Sequence, residues 1–165
     1  MITRLLTIFA FSIFSHAVLA SEFDKYPPAS KLNTKPAKPI LDTKVKKLFR
    51  TRLRESANEM PNFNGRYHVS HWGCGMNCIT WSVINLANGK VWMIDERGTN
   101  SCWAFNATEP PPEDLPDWLE FSLTSSLLYV YDCNDETGKF IFNRRRVYQW
   151  KNDSPVLLRT ESVAY

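Results

Sequence analysis

The sequence predicts an α+β protein, in which one N-terminal amphipathic helix packs on a mainly antiparallel β-sheet, a meander stapled by disulfides. Three observations predict this class. Apolar residues recur at helical spacing over residues 41–57, the period changes to two after Pro61, and four cysteines follow. We expect residues 41–165 to form a single domain, because domains commonly contain about 100 to 150 residues.

Residues 1–20 are expected to be a signal peptide. Arg4 gives a basic start, an apolar run covers residues 5–14, and Val18 and Leu19 lead to small residues at the expected cleavage site between Ala20 and Ser21. The run is too short for a stable membrane anchor, although an uncleaved anchor is the alternative. We therefore expect no transmembrane anchor after cleavage and a periplasmic or secreted location.

The charge that remains after cleavage is small. Removal of residues 1–20 takes away one of the 20 lysines and arginines and none of the 17 acids, which leaves a net charge of +2. Proteins dedicated to nucleic acids usually carry a concentrated basic face. We therefore expect no nucleic-acid partner.

Residues 21–40 predict a flexible, Pro/Lys-rich leader. They contain four prolines among lysines and small polar residues, and they offer few apolar groups to bury. The lysines could touch an anionic surface, but the composition favours a solvated tether.

The next segment predicts one amphipathic helix of about four turns. Asp42 can cap its start and Pro61 marks its end. Its apolar stripe consists of Leu41, Val45, Leu48, Phe49, Leu53 and Ala57. Lysines and arginines cover the other sides, which suits a membrane-surface or partner-binding helix, but a solvated outer face is favoured.

The remainder predicts antiparallel strands. Asn88-Gly89 separates two apolar runs, and this dipeptide is a strong hairpin signal because both residues tolerate positive φ. Further strands are expected over residues 127–131, 140–150 and 156–163, with turns between them.

Four cysteines in an exported chain predict two disulfides. Cys74, Cys78, Cys102 and Cys133 permit three pairings, and the sequence leaves all three open. Gly73 and Gly75 favour Cys74 with Cys78, which would leave Cys102 with Cys133, because glycines let a short loop close.

Residues 67–78 also contain potential metal ligands, namely His68, His71, Cys74 and Cys78. Side chains three apart on a strand point to opposite faces, and exported cysteines are usually oxidised. A redox centre is disfavoured as well, because two residues, not three, separate the cysteines of thiol-disulfide enzymes. We therefore predict no metal site and no cofactor, and keep His68 and His71 as the alternative.

A stripe on the strand over residues 140–150 is the predicted binding site. Arg144, Arg146, Tyr148 and Trp150 share one face if the alternation holds. Arginine, tyrosine and tryptophan dominate binding energies at interfaces, so this stripe could bind an envelope protein or a glycan. The alternative is an edge strand whose charges protect it from aggregation.

Several of these residues carry a resemblance. Pro61, Asn62, Phe63, Gly65 and Tyr67, followed by Trp72, Gly73, Cys74, Gly75 and Cys78, resemble a Pro-Asn-Phe-x-Gly-x-Tyr turn and a Trp-Gly-Cys-Gly-x-x-Cys motif. These motifs are found in a widespread group of small exported bacterial proteins without an established activity. The resemblance implies a periplasmic or secreted bacterial protein, and it transfers no catalytic residue.

The function predicted from the sequence is therefore that of a non-enzymatic binding protein of the bacterial cell envelope, for instance an inhibitor or immunity protein. The sequence contains no Gly-x-Ser-x-Gly elbow, His-Glu-x-x-His helix or P-loop, so no catalytic residue is assigned. The alternative is an envelope enzyme or metal-binding protein that uses His68 and His71 near the Cys74-to-Cys78 turn.

Overall fold

The structure is a computed structural model that describes residues 21–75, 78–94, 119–134 and 140–163. The described residues form a 3₁₀ turn, two short helices and seven strands. The turn is Glu22–Lys25, and the helices are α1 (Lys44–Leu48) and α2 (Arg50–Ser56). The strands are β1 (Tyr67–Gly75), β2 (Cys78–Asn85), β3 (Val91–Met93), β4 (Leu119–Phe121), β5 (Leu127–Asn134), β6 (Phe140–Lys151) and β7 (Ser154–Ser162).

The strands form two antiparallel sheets. The first has the order β1-β2-β3 and the second the order β4-β5-β6-β7. In each sheet, strands that follow one another in the sequence are paired. The chain therefore builds two meanders, one after the other.

The predicted fold class, an α+β protein with one N-terminal helix on a single disulfide-stapled meander, is wrong. The structure is mainly β, with two sheets and helices of only five and seven residues. Phe49, with ψ at 19°, interrupts the helix that the apolar spacing predicts. The predicted disulfide residues Cys74, Cys78, Cys102 and Cys133 have side chains outside the described part of the chain.

The main core lies between the two sheets. Tyr67, Val69, Trp81 and Val83 of the first sheet pack with Leu119, Leu128, Val130 and Trp150 of the second, and Phe63 joins them. β5 also buries Leu127, Tyr129 and Tyr131 on its other face. A strand whose two faces are both covered has a continuous apolar run, as residues 127–131 do.

The helices cover the outer face of the first sheet. Leu53 of α2 is fully buried in a cluster with Trp72, Ile84 and Val91. The ring of Phe49 meets the ring of Trp72 edge-on, with centroids 5.5 Å apart. The Asn88-Gly89 hairpin is present between β2 and β3 and carries a positive φ of 76° at Gly89.

Residues 21–40, predicted to be a flexible leader, run across both sheets. Backbone N–H groups of Leu32, Ala37 and Ile40 donate to carbonyls of Gly65, Leu86 and Gly89. A Cβ atom at Gly89 would lie 2.1 Å from the carbonyl oxygen of Lys38, and one at Gly65 would lie 2.6 Å from that of Ala29. The two glycines therefore let this segment approach the turns closely.

Candidate binding surface

The predicted binding stripe on β6 divides into a buried half and an exposed half. Trp150 is only 3% exposed, and its ring lies 5.6 to 6.0 Å from the rings of Phe63, Tyr67 and Trp92. Tyr148 is half-buried and packs against the same core. Trp150 therefore belongs to the core between the sheets, where it contributes to stability.

The arginines of the stripe lie further along β6. Arg144 is exposed and Arg146 is half-buried, and both have interactions within the chain. They pair across the sheet with Ser162 and Thr160 of β7. Arg144 and Arg146 therefore lie on the same face of β6 as Tyr148 and Trp150, and all four pair with β7, but only Trp150 is buried.

Arg145 points to the opposite face of β6 and joins a network of charged and phenolic side chains. Its Nε donates to Glu161 Oε2 at 2.7 Å, and its guanidinium carbon lies 4.3 Å from the centroid of the Tyr129 ring. Arg159 donates through Nε to Glu161 and through Nη2 to both carboxylate oxygens of Glu22, at 2.7 and 2.8 Å. This network ties the N-terminal turn to β6 and β7.

Two tyrosines complete the network. Tyr129 donates its hydroxyl to Glu22 at 2.8 Å, and Tyr131 donates to Glu120 at 2.5 Å. Burial, and then the neighbouring carboxylate Glu120, raises the pKa of Tyr131 to about 12. The hydrogen bond from Tyr129, helped by Arg159, lowers the pKa of Glu22. At neutral pH both phenols therefore keep their protons and donate, and the ionised Glu22 accepts, so the network holds these segments together.

A second network holds the turn between β6 and β7. Asn152 and Asp153 have φ values of 51° and 65°, which are typical of a two-residue type I′ hairpin. The Asp153 carboxylate accepts hydrogen bonds from Tyr67 at 2.9 Å and from Asn85 at 2.5 Å. Lys90 adds an ion pair at 3.2 Å. The turn of the second sheet is therefore fastened to the first sheet.

The electrostatics of Asp153 follow from these contacts. Burial alone would raise its pKa, but the hydrogen bonds from Asn85, Tyr67 and Lys90 outweigh burial and lower the pKa below 3.8. Asp153 is thus a charged group held by three side chains of the first sheet and its hairpin. This arrangement favours a role in stability.

The two histidines do not converge. His68 pairs with Ile84, which belongs to the cluster under the helices, and His71 pairs with Trp81, which belongs to the core between the sheets. Cross-strand neighbours share a face, so the two imidazoles lie on opposite faces of β1. The described residues contain no group of three or more histidine, cysteine, aspartate or glutamate side chains arranged to hold a metal ion.

β7 carries three consecutive exposed aliphatic side chains. It is the last strand of the second sheet and pairs only with β6 among the described strands. Val156, Leu157 and Leu158 are 44%, 53% and 38% exposed. Consecutive exposed aliphatic residues on a sheet edge are unusual in a soluble protein and are typical of interaction sites.

A β-bulge in β7 determines on which face of the sheet each of these three side chains lies. The pairing shifts between Val147 and Tyr148, so Leu158 has no partner on β6. Val156 pairs with Gln149 and shares its face, whereas Leu157 pairs with Tyr148 on the face toward the first sheet. The edge therefore offers apolar contacts on both faces.

Sequence reasoning missed the β7 surface and the network around Glu22. The run Val156-Leu157-Leu158 is typical of a buried strand, and its pattern does not show that β7 pairs only with β6 among the described strands. Glu22 meets Tyr129 and Arg159 across more than 100 residues of sequence. Pro155 and the Asn152-Asp153 turn were the available signals for an edge position.

No protein-family model, curated protein or solved structure matches this chain. The resemblance of residues 61–78 to small exported bacterial proteins therefore stays a prediction. Among the described helices, none is long and apolar enough to cross a membrane.

Proposed function

We propose that this chain is a non-enzymatic binding protein of the bacterial cell envelope, exported by residues 1–20, of the kind that inhibitors and immunity proteins represent. The observation that carries the proposal is the exposure of Val156, Leu157 and Leu158 side by side on the edge strand β7. The partner is an envelope protein that offers an extended apolar segment.

Strand addition is the binding mode that fits β7 best. An edge strand offers unpaired backbone groups that give affinity, and side chains on alternate faces that give specificity. Leu157 and Val156 would contact an added strand on opposite faces of the sheet, because the β6 residues that pair with them, Tyr148 and Gln149, lie on opposite faces. Pro155 lacks an N–H group and would limit the addition to the residues after it.

The charges on β7 support an uncharged partner segment. Arg159 and Glu161, the two charged residues of the strand, bond to each other and also to Glu22 and Arg145. Their charges are compensated inside the protein. A partner of β7 would therefore contact mainly apolar side chains and backbone N–H and C=O groups.

The strand is also held rigidly before any partner binds. Asp153 fixes the turn that precedes β7, and Arg159 and Glu161 fix its second half. Binding to a preorganised strand loses less conformational entropy than binding to a mobile one. Rigid presentation of one edge suits a protein whose task is to occupy a partner's site.

The test is site-specific cross-linking in the producing bacterium. A photoreactive residue replaces Leu157 in one strain and Leu123 in a control strain. Leu123 is 45% exposed and follows β4, at the opposite edge of the same sheet. We expect one envelope protein to be cross-linked through position 157 and not through position 123.

The captured protein then provides the second readout. The purified chain should bind it, and Leu157→Arg should abolish the binding while the thermal midpoint stays unchanged. Capture of the same proteins from both positions would contradict the proposal. Turnover of a cell-wall substrate by the chain alone, abolished by His68→Ala or His71→Ala, would favour the enzyme alternative.

A further inference from the structure

A second surface of the molecule concentrates positive charge. Residues 31–54 contain nine lysines and arginines and one acid, Asp42. The chain from residue 21 onward carries 19 bases and 17 acids, so the rest of it is acidic. The helices α1 and α2 carry most of this basic segment, on the outer side of the first sheet.

The outer face of these helices also exposes an apolar side chain. Leu53 is buried against the sheet, whereas Leu48 of α1 is 71% exposed. Lys44 lies four residues before Leu48 in α1, so the two side chains are neighbours on the surface of that helix, and Arg52 follows in α2. Leu48 is thus an exposed apolar side chain among lysines and arginines.

Several of these cations are not paired with a carboxylate. Lys46 bonds to Asp42 at 2.7 Å and Arg52 to Glu55 at 3.5 Å. Within the described residues, Lys44, Lys47 and Arg54 have no carboxylate at ion-pair distance, and all three are exposed. Their charge is available to an external anion.

We propose that this outer face of α1 and α2 binds the surface of an anionic phospholipid bilayer. Leu48 enters the boundary between headgroups and acyl chains, and Lys44, Lys47 and Arg54 lie against the phosphates. Basic residues beside an apolar side chain on a helix surface are the combination that interfacial helices use. Each lysine or arginine near an anionic bilayer strengthens its attraction.

The exposed leucine distinguishes the bilayer from other polyanions. A soluble polyphosphate or an acidic glycan would be held by the cations alone, and Leu48 would stay in water. A bilayer takes up both the charge and the apolar side chain. The binding surface on β7 uses different residues, so the two sites can be tested independently.

The experiment measures co-sedimentation of the purified exported chain with vesicles. One set contains phosphatidylglycerol and the other only phosphatidylcholine. We expect binding to the anionic vesicles alone, weakening as salt is raised. The triple variant Lys44→Gln, Lys47→Gln, Arg54→Gln should lower the partition coefficient by roughly 100-fold, and Leu48→Ser by roughly tenfold.

Two matched controls keep the result specific. Lys151→Gln removes an exposed lysine of the second sheet and controls for the loss of a positive charge elsewhere, and Leu123→Ser matches Leu48→Ser. Neither control should change the partition coefficient by more than about twofold. Circular dichroism of every variant shows whether its fold is retained.

Three outcomes would overturn the proposal. They are no binding to anionic vesicles, equal binding to both kinds of vesicle, or binding that Leu48→Ser leaves unchanged. The last outcome would indicate that the basic face binds soluble polyanions. Inorganic polyphosphate would then displace the parent chain and Leu48→Ser from anionic vesicles equally well.

Discussion

β6 and β7 are neighbours in the second sheet, yet they use their large apolar side chains in opposite ways. β6 buries Trp150 between the sheets, with an exposed fraction of 3%, whereas β7 exposes Leu157 to 53%. Trp150 lies under the first sheet, in contact with Phe63 and Tyr67, whereas Leu157 lies on β7, which has a neighbouring strand on only one side among the described strands. The contrast indicates that Trp150 stabilises the fold, and it leaves Leu157 as the side chain on which the proposed binding depends.

The largest expected effect is on the inner strand. Trp150→Ala removes a ring that contacts Phe63, Tyr67 and Trp92, and it leaves a cavity between the sheets. We expect a loss of about 3 to 5 kcal/mol in the free energy of unfolding. Urea denaturation monitored by circular dichroism measures it, and an unchanged midpoint would show that Trp150 is not a core residue.

Asp153, in the turn between the two strands, should give the next largest effect. Asp153→Asn keeps a residue that tolerates positive φ. It removes the negative charge that pairs with Lys90 and accepts hydrogen bonds from Tyr67 and Asn85. We expect a loss of about 1 to 3 kcal/mol in unfolding free energy. Asp24→Asn, at an exposed carboxylate, is the control and should change it by less than about 0.5 kcal/mol.

The effect of Asp153→Asn should depend on pH. The folded pKa of Asp153 lies below its ordinary value of 3.8, so the carboxylate stabilises the fold fully above that pH and loses its effect as pH falls through the folded pKa. The difference between the parent chain and Asp153→Asn should therefore be constant near pH 7 and shrink below about pH 4. A difference that grows on acidification would contradict this account.

Glu22 anchors the second half of β7 and should have a smaller effect. Glu22→Gln removes the charge that pairs with Arg159, while the amide oxygen can still accept from Tyr129. The pair is partly exposed and screened by solvent, so we expect a loss of about 0.5 to 1 kcal/mol. High salt should reduce this loss in thermal unfolding, and a salt-independent loss would indicate a packing effect.

The smallest effect on stability is expected on the edge strand. Leu157→Arg alters an exposed side chain and should change the unfolding free energy by no more than about 0.5 kcal/mol. The same substitution should abolish partner binding, because a guanidinium then occupies the apolar edge. A large loss of stability would show that Leu157 belongs to the fold and would remove the contrast between β6 and β7.

The comparison also shows what the sequence could predict. The Asn88-Gly89 hairpin and the late antiparallel strands follow from local turn chemistry and period-two patterns. The two-sheet arrangement does not, because the continuous apolar run along β5 indicates a strand buried on both faces without identifying the residues that cover it. The predicted helix was too long, because the apolar spacing continues through Phe49, where the backbone departs from helical geometry.

The candidate site was predicted only in part for a related reason. Alternation correctly separates Arg145 from Arg144 and Arg146, but it does not reveal that Trp150 is buried by Phe63 and Tyr67. Likewise, the exposure of Leu157 depends on the absence of a further strand beside β7 among the described residues. Such facts depend on contacts between distant segments, which no local pattern encodes.

The most direct test of the account is amide hydrogen exchange of the chain with and without the protein that is cross-linked through position 157. If an extended segment adds to the sheet, the amides of β7 should exchange at least tenfold more slowly in the complex, while those at the β4 edge stay unchanged. Unchanged exchange in β7, with protection on another surface, would contradict binding through this strand.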